Sequence, residues 1–382
     1  MKVVVAMDKF KHSLTSEQAG EGVKRGLENA GLKADNISLI PMADGGEGTS
    51  RLLTRHDGGE WIHTEVEGPH GERVSAGYGL GAKRRTGFVD MADAAGLDNV
   101  PGTPQPHHVS SAHTYGVGQL IEQMLGHFVE RIYIALGGSA TVDGGAGMAM
   151  ALGYQLLDIS QNPIPRGGAA LNRLDHIDTA QADSRIQETH FTALCDVDHP
   201  LLGAQGAAAQ FARQKGADQR MARSLESGLI RLNRCFRKGG WPRLAFARGA
   251  GAAGGMGAGA AFFLDAELFP GSQYVGQTQG LPGAIAEADL VISGEGKVDE
   301  GSFKGKVLGY VAKLCAHFQK PLYVIAGDAH RSIWTHPQAY GIQELDLLEA
   351  IDPLAARAPA QQQMELIAQL STRHLQMGFK VA

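Results

Sequence analysis

Both ends of the 382-residue chain carry the pattern of a buried strand, a helix and a second buried strand. The first copy has Thr15 or Ser16 as the predicted helix N-cap and Gly31 at the helix end, and it comprises KVVVAMD, SLTSEQAGEGVKRGLENAG and ISLIPMADGG. The second copy comprises ADLVISGEGKVD, GKVLGYVAKLCAHF and KPLYVIAGD. A strand–helix–strand unit of this kind requires parallel strands joined by a right-handed crossover. We therefore predict an α/β fold in which the two ends share one doubly wound parallel sheet.

The middle of the chain has a different pattern and predicts a second domain. From about residue 61 to residue 95, apolar and polar residues alternate between turn signals, as they do in antiparallel strands. The chain is also longer than the roughly 250–300 residues at which a single hydrophobic core stops growing. We predict a discontinuous domain of residues 1–60 and 286–382, into which a second α/β domain of residues 61–285 is inserted.

Five further segments of the middle predict individual elements. HVSSAHTYGVGQLIEQML predicts one capped helix, and GAGMAMALGYQLL predicts a helix that begins at a glycine loop. The segment AAFFLDAEL has helical spacing, whereas RIYIALGG and ETHFTALCDVDHP predict strands.

Charge, hydropathy and cysteine usage limit the classes of partner. The formal net charge is −5 and no basic stripe is evident, which predicts no nucleic-acid partner. No run approaches the ~20 apolar residues of a membrane span, so we also predict no membrane partner. The three cysteines form no CxxC pair, which favours a reducing compartment, the cytoplasm, over a disulfide framework or structural zinc.

Polar residues follow six predicted strands at the point where each strand ends. Because ligands bind beyond the carboxyl ends of strands in open α/β sheets, this repetition favours a shared polar cleft. A single aspartate in one such loop is equally typical of a turn or an N-cap. In chain order the residues are Asp8; Asp44 and Glu47; Ser139, Thr141 and Asp143; Asp196 and Asp198; Glu295 and Asp299; Gly327 and Asp328.

Glycine is the compositional anomaly, with 52 residues concentrated in motifs, about twice the average usage. Two motifs combine glycine with acids and hydroxyls: MADGGEGT at residues 42–49 and GGSATVDGG at residues 137–145. A glycine loop that opens a helix presents backbone N–H groups and a partial positive charge to phosphate. Since carboxylates do not bind phosphate directly, their presence indicates Mg²⁺ or a general base.

Two known nucleotide-binding signatures would offer a different interpretation. A Walker A loop is absent, because GSFKGKV has the wrong glycine spacing and Val307 where Ser or Thr should follow. GAGAAG at residues 249–254 matches GxGxxG, but no convincing buried strand precedes it, so tight helix packing or a turn is the competing interpretation. Basic residues near the acidic loops are candidates for binding an anionic substrate or phosphoryl group: Lys9, Lys11, Lys215, Lys297, Lys304 and Lys306.

Eight ordered motifs closely resemble the class I glycerate kinases, from Val3 to about Gly327. They are DKFKHSLTS, PMADGGEGT, TYGVGQLI, LGGSATVDGGAGM, CDVDHPLLG, QKGA, GAGAAGGMGAG and SGEGKVD. The resemblance implies transfer of the ATP γ-phosphoryl group to glycerate, with 2-phosphoglycerate as the product of several members. It also implies a Rossmann-like or flavodoxin-like domain, a second α/β domain and an active site in the cleft between them.

On this resemblance we hypothesise an ATP- and Mg²⁺-dependent kinase for D-glycerate, with a small-molecule substrate, a nucleotide and a possible homodimer. Asp44 or Asp196 is the expected base, and Lys11 assists catalysis. Lys11, Ser13 and Thr114 are expected to bind the substrate. The expected nucleotide-binding residues are Gly137, Gly138, Ser139, Thr141, Glu295, Gly296 and Lys297. The expected metal ligands are Asp143, Glu47 and Asp8.

The chain also departs from residues that are usual in this family. Lys9 replaces a small residue, His12 a glycine and Val142 an asparagine that would offer a hydrogen-bonding group to the phosphate loop. Further departures are His113, Arg213, Arg248, Gly301 and Lys304. They leave two alternatives open: a paralogue that is non-catalytic or has altered specificity, and, on GAGAAG alone, a nicotinamide-dependent oxidoreductase.

Overall fold

A computed structural model describes residues 1–350, 352, 354–355 and 358–376, and it divides the chain into two compact units. The first comprises Met1–Asp44 with Gly271–Ala382, and the second comprises Gly45–Pro270. The predicted boundaries placed residues 45–60 and 271–285 in the opposite units. They differ because the helix at Thr49–His56 packs on strands of the second unit, whereas the helices at Gly271–Thr278 and Leu281–Glu287 pack with Val307–Phe318 of the first.

The first unit is built on a five-stranded parallel sheet with the order β13-β12-β11-β1-β2. Numbered along the whole chain, its strands are β1 Val3–Met7, β2 Ile37–Leu39, β11 Leu290–Val298, β12 Leu322–Ala329 and β13 Glu344–Leu347. Its helices are α1 Ser16–Asn29, α10 Gly271–Thr278, α11 Leu281–Glu287, α12 Val307–Phe318, α13 Arg331–Thr335 and α14 Ala360–Gln376. The predicted sharing of one parallel sheet by both chain ends is therefore confirmed.

The local chemistry of the first unit follows from its sequence. Thr15 caps α1 in a capping box with Gln18, since each side chain accepts a hydrogen bond from the other residue's backbone N–H. Apolar residues of β1, β11 and β12 pack with α1 and α14 to form the core. One expectation is corrected: the glycine–acid segments after Ser293 and Ala326 are not loops, because parallel pairing continues as far as Val298 and Ala329.

The second unit contains a six-stranded mixed sheet with the order β10-β9-β6-β5-β4-β3 and a separate β7-β8 pair. Its strands are β3 Glu60–Glu67, β4 Arg73–Leu80, β5 Thr86–Asp90, β6 Arg131–Ala135, β7 Gln155–Leu157, β8 His176–Asp178, β9 His190–Leu194 and β10 Glu267–Phe269. Its helices are α2 Thr49–His56, α3 Met91–Ala95, α4 Pro106–Ser111, α5 Tyr115–Gly126, α6 Ala146–Ala151, α7 Ala207–Phe211, α8 Gln219–Lys238 and α9 Ala252–Leu264. The antiparallel pairing predicted after residue 61 is present in β3, β4 and β5, and β5, β6, β9 and β10 pair in parallel.

Three helix predictions in this unit need correction. The single helix predicted in HVSSAHTYGVGQLIEQML is two helices, α4 and α5, because the N–H of His113 donates to Pro69 and that of Thr114 to Asp143, outside the helix. The helix in GAGMAMALGYQLL ends at Ala151, before β7. AAFFLDAEL is helical only to Leu264, after which the chain enters β10 and pairs with β9.

No helix among the residues that the structure describes is long and apolar enough to cross a lipid bilayer.

Candidate active site

Three acidic residues lie together at the carboxyl-terminal side of the sheet in the first unit. Asp8 follows β1, Glu295 lies near the end of β11, and Asp44 follows β2, whose hydrogen bonding to β1 extends to Met42. Burial raises the pKa of Asp8 well above its usual range, and the nearby charges of Asp44 and Glu295 raise it further. Burial also raises the pKa of Glu295 to about 7, although a hydrogen bond from Ser302 and the charge of Lys306 oppose the shift.

Lys9 is the cation beside this acidic cluster. Its Nζ atom lies 3.3 Å from Oδ1 of Asp44, and both side chains are about three-quarters buried. The charge of Lys9 and its backbone N–H, which donates to Asp8 at 2.7 Å, partly offset the rise in the pKa of Asp8. Lys9, where the family usually has a small residue, therefore places a positive charge directly beside the predicted base Asp44.

The predicted substrate residues of the first unit lie in a tight turn between Phe10 and Leu14. The Ser13 hydroxyl is positioned by Phe10, whose carbonyl oxygen is 3.0 Å away, and by Oε1 of the buried Gln363 at 2.9 Å. Lys11 is exposed in the same turn. Gly296, predicted to bind nucleotide, lies against this turn, where an added Cβ would come within 3.2 Å of Phe10. Lys297 is exposed and pairs with Asp328 at 3.4 Å.

The remaining predicted residues belong to the second unit, where the two glycine motifs meet. The N–H of Gly137 donates to the carbonyl oxygen of Gly45 at 3.0 Å. A Cβ on Gly137 would lie 2.5 Å from the Cα of Gly46, so the close approach of the two loops requires glycine there. Asp90 positions the loop of the first motif, MADGGEGT, which we call the first loop. Its carboxylate accepts hydrogen bonds from the N–H groups of Gly48 at 2.7 Å and Ser50 at 2.9 Å. Asp90 is not among the predicted site residues, because the only sign of its role in the sequence is its place at the end of a predicted strand.

Asp143 and Thr114 form a buried network inside the second loop. The carboxylate of Asp143 accepts four hydrogen bonds: from the backbone and hydroxyl of Thr114 at 2.8 and 2.9 Å, from Gly147 at 3.1 Å and from Gly145 at 3.2 Å. The Thr114 hydroxyl also accepts from Met148 at 2.9 Å, and both side chains are fully buried. This geometry gives the pair a structural role, and the metal-binding role of Asp143 and the substrate-binding role of Thr114 stay predictions.

Lys215 lies beneath the same loop and is its main source of positive charge. Its Nζ atom is 2.7 Å from the Ser139 hydroxyl oxygen and 2.7 Å from the Thr141 carbonyl oxygen, and the side chain is buried. Burial lowers the pKa of Lys215 to about 7, against the attraction of Asp143. Among the residues that the structure describes, the buried Thr141 hydroxyl has no protein partner. From the sequence, Lys215 is only one of six basic candidates for binding an anionic substrate or phosphoryl group.

Asp196 follows β9, and Glu47 lies in the first loop. The thiol of the adjacent Cys195 has a pKa raised to about 12 by burial and by the Asp196 charge, so it is not a reactive thiolate. In the portion of the chain that the structure covers, no group of three or more His, Cys, Asp or Glu residues is arranged to hold a metal ion.

The GAGAAG motif is a packing element of the second unit. Ala253, Gly254 and Gly255 have φ values of 53°, 69° and 91°, and the N–H of Gly144 donates to the Gly254 carbonyl at 3.1 Å. A Cβ on Gly254 would lie 2.7 Å from the Cα of Val142. The structure thus favours the packing interpretation over a dinucleotide-binding turn.

Comparison with known proteins agrees with this architecture. The model of the glycerate kinase family matches residues 3–375. A glycerate kinase of Halalkalibacterium halodurans is 42% identical over 326 residues, 85% of each chain, and the glycerate 2-kinase of Escherichia coli K12 is 39% identical over 86% of this chain and 85% of its own. A crystal structure from Salmonella typhimurium LT2, provisionally assigned as a glycerate kinase 2, superposes with a TM-score of 0.81 at 34% identity over all of both chains.

The fold and the two glycine loops define an α/β enzyme of the phosphotransferase class, as predicted. The chain belongs to the glycerate kinase family.

Proposed function

We propose that the protein transfers the γ-phosphoryl group of ATP to D-glycerate and that 2-phosphoglycerate is the product. The observation that carries the proposal is the buried Lys215 ammonium, 2.7 Å from Ser139 in a glycine loop of a chain that belongs to the glycerate kinase family. The names of the relatives from H. halodurans and E. coli support glycerate as the acceptor, and the E. coli name supports phosphorylation at its 2-position.

The second glycine loop is the proposed phosphate-binding site. Gly138 and Ser139 supply backbone N–H groups there, whereas the N–H of Gly137 donates to Gly45 and Gly137 shapes the loop. The Thr141 hydroxyl is a buried donor available to a phosphate oxygen. The Lys215 charge acts from below the loop, in a region of low dielectric constant where a preorganised charge stabilises the transferring group more strongly than in water. Glu295, Gly296 and Lys297 remain the nucleotide-binding residues proposed for the first unit.

Asp44 is the proposed base for the substrate hydroxyl, and Asp196 is the alternative. A base must be able to accept a proton from the substrate hydroxyl, and Asp44 is a partly exposed carboxylate held 3.3 Å from Lys9. The exposed Lys11 and the positioned Ser13 would bind the substrate carboxylate. Because phosphoryl transfer depends chiefly on positioning and charge stabilisation, these residues need not form covalent intermediates.

The acidic cluster of the first unit fits a magnesium ion in its chemistry. Mg²⁺ binds through one or two carboxylates together with water and phosphate oxygens, so it needs no site made wholly of protein ligands. Burial is the main cause of the raised pKa values of Asp8 and Glu295, and the neighbouring charge of Asp44 adds to both, so a divalent cation there would favour their ionised forms. Asp8 and Glu295 would hold the ion, and the ion would neutralise charge on the transferring group.

One observation favours altered specificity as a second candidate. Lys9 pairs with the proposed base at a position where a small residue is usual in this family. An added cation there would suit an acceptor with a further negative group, such as a larger hydroxy acid.

A coupled assay of ADP formation tests both candidates. The protein is incubated with Mg-ATP and a panel of acids that contains D-glycerate, L-glycerate and larger sugar acids. D-glycerate as the best substrate supports the proposal, with ³¹P NMR separating the 2-phosphoester from the 3-phosphoester. A larger acid as the best substrate supports altered specificity, and no ADP from any acid rules out both.

We also propose that the protein acts in the cytoplasm, because Cys195, Cys235 and Cys315 are all free thiols. The possible homodimer stays a prediction.

A further inference from the structure

The segment from Arg213 to Arg248 carries a charge opposite to that of the chain as a whole. It contains ten Lys or Arg residues and two acids, which gives +8 in a chain of net charge −5. Neither acid compensates the cations directly, because Asp218 caps α8 through the N–H of Met221 and Glu226 binds the N–H of Gly203. Lys215 is buried and Arg248 pairs with Asp198, but the remaining cations form a basic surface, so the expectation that the chain has no basic stripe is wrong.

The basic residues of α8 form one stripe, which we call the arginine surface. Its members are all exposed: Arg220, Arg223, Arg231, Arg234, Arg237 and Lys238. At 3.6 residues per turn they fall within about 120° of arc and extend along about 27 Å of helix. The opposite face is apolar and buried in the core of the second unit through Leu225, Leu229, Leu232 and Phe236.

These cations differ from most other arginines of the second unit in having no acidic partner. Arg73, Arg84, Arg85 and Arg173 each form an ion pair with a carboxylate. Arg166, Arg185 and Arg248 are paired as well, and none of the ion pairs found among the described residues involves a member of the arginine surface. Six like charges on one helix repel each other, so the arrangement is unfavourable for the isolated protein and favourable for one that binds a polyanion.

Exposed aromatic side chains follow the arginine surface at its carboxyl end. Trp241, 37% exposed, lies just after α8, and Phe246, 81% exposed, ends the short 3₁₀ helix Leu244–Phe246 that follows. Cations that track a phosphate backbone, next to aromatic rings on which bases stack, are the combination that binds single strands without sequence preference. Arginine suits this use better than lysine because its planar guanidinium binds phosphate through two N–H groups and stacks on bases.

We propose that the arginine surface, with Trp241 and Phe246, binds a single-stranded nucleic acid. A strand fits better than a lipid bilayer because the cations form a line along one helix. The apolar face of α8 is already buried in the core, so this helix cannot insert its apolar residues among lipid chains as interfacial helices do. This function is separate from the proposed kinase reaction and does not depend on it.

Fluorescence anisotropy of a labelled RNA strand of about twelve nucleotides tests the proposal on the full chain. Saturating Mg-ATP is present throughout, so that the RNA cannot report binding at a nucleotide site. If four phosphates are neutralised, raising the salt from about 50 to about 200 mM should weaken binding about 50-fold, because the slope is about −0.7 per phosphate.

Two quadruple variants with the same change in charge separate this surface from general electrostatics. R220Q/R223Q/R234Q/R237Q should weaken RNA binding at least tenfold and lower the salt dependence, while kinase turnover stays unchanged and shows that the protein is folded. R73Q/R84Q/R85Q/R173Q removes four arginines that are paired with carboxylates, and it should bind RNA within about threefold of wild type.

Three outcomes would overturn the proposal. One is the absence of saturable RNA binding at low salt. Another is an equal loss of binding in the two quadruple variants. The third is arginine-dependent binding to vesicles of phosphatidylcholine and phosphatidylglycerol without RNA binding, which would assign the surface to a membrane instead.

Discussion

The ammonium nitrogen of Lys215 lies 2.7 Å from the hydroxyl oxygen of Ser139, inside the glycine loop at residues 137–145. The Thr141 carbonyl accepts a second hydrogen bond from the same nitrogen at 2.7 Å. Lys215 thus links Ser139 and Thr141 through hydrogen bonds, whereas the sequence shows these two only as residues of the same loop. It also places an amine, whose pKa burial lowers to about 7, in a region from which water is excluded.

Replacing Lys215 should impair the kinase reaction. Loss of one preorganised charged donor costs about 10²–10³ in turnover in other enzymes, so Lys215→Met should lower kcat/KM for ATP by at least that order. Steady-state kinetics measure the effect. Lys313→Met, an exposed lysine of α12, is the matched control and should act like wild type. If the two variants have equal kinetics, Lys215 does not act at the phosphate site.

The same lysine should make stability depend on pH. Burial lowers the pKa of Lys215 to about 7, whereas an unfolded lysine titrates near 10.4. Between these values the unfolded chain binds a proton that the folded chain lacks, so the free energy of unfolding rises with pH. Relative to Lys215→Met, wild type should gain about 1.4 kcal/mol per pH unit from pH 7 to pH 9. Denaturant unfolding of both proteins checks this, and a difference that is constant with pH would contradict the assigned pKa.

The sequence predicts the architecture because local patterns determine it. The capping box of Thr15 and Gln18, the β-branched run of β1 and the alternation in β3 and β4 each specify an element without reference to distant residues. The single helix predicted at residues 108–125 fails for the opposite reason. The N–H of Thr114 binds Asp143, which lies 29 residues away, and no local pattern records that partner.

The site is less predictable than the fold for the same reason. Aspartates after strands look alike in sequence, yet Asp143 is fully buried and accepts four hydrogen bonds, whereas Asp44 is partly exposed and pairs with Lys9. Asp90, which positions the first glycine loop, has no distinguishing neighbour in the sequence. Burial and long-range hydrogen bonding decide these roles.

Asp143→Asn should lower stability with no specific effect on magnesium. The asparagine amide replaces one acceptor oxygen of the carboxylate with a donor nitrogen, so buried N–H groups lose their partner. Each such loss lowers the free energy of unfolding by about 1–3 kcal/mol. We expect a fall in Tm of roughly 5–10 °C, since about 1 kcal/mol shifts Tm by about 2–4 °C in chains of this size. Activity measured below Tm should show an unchanged Mg²⁺ requirement. An unchanged Tm with a raised Mg²⁺ requirement would instead make Asp143 a metal ligand.

Val142→Asn, which introduces the residue usual in the family, should not improve the enzyme. The Val142 side chain is fully buried in the core of the second unit and does not present a group to a ligand. A buried amide without partners costs about 1–3 kcal/mol, so Tm should fall while kcat/KM for ATP stays within about twofold. Val142→Thr, which keeps the volume and adds only a hydroxyl, is the matched comparison. A higher kcat/KM in the asparagine variant would show that position 142 does contact the nucleotide.

Asp44→Asn should abolish most of the turnover and leave the protein folded. A neutral amide cannot accept the substrate proton, and general-base catalysis contributes about 10²–10⁴-fold, so kcat should fall by that order with little change in KM. Thermal unfolding should shift by only a few degrees, because a partly exposed pair such as Lys9–Asp44 contributes about 1 kcal/mol or less. Asp196→Asn, measured in parallel, tests the alternative base. If Asp44→Asn turns over like wild type and Asp196→Asn does not, Asp196 is the base and Asp44 only a partner of Lys9.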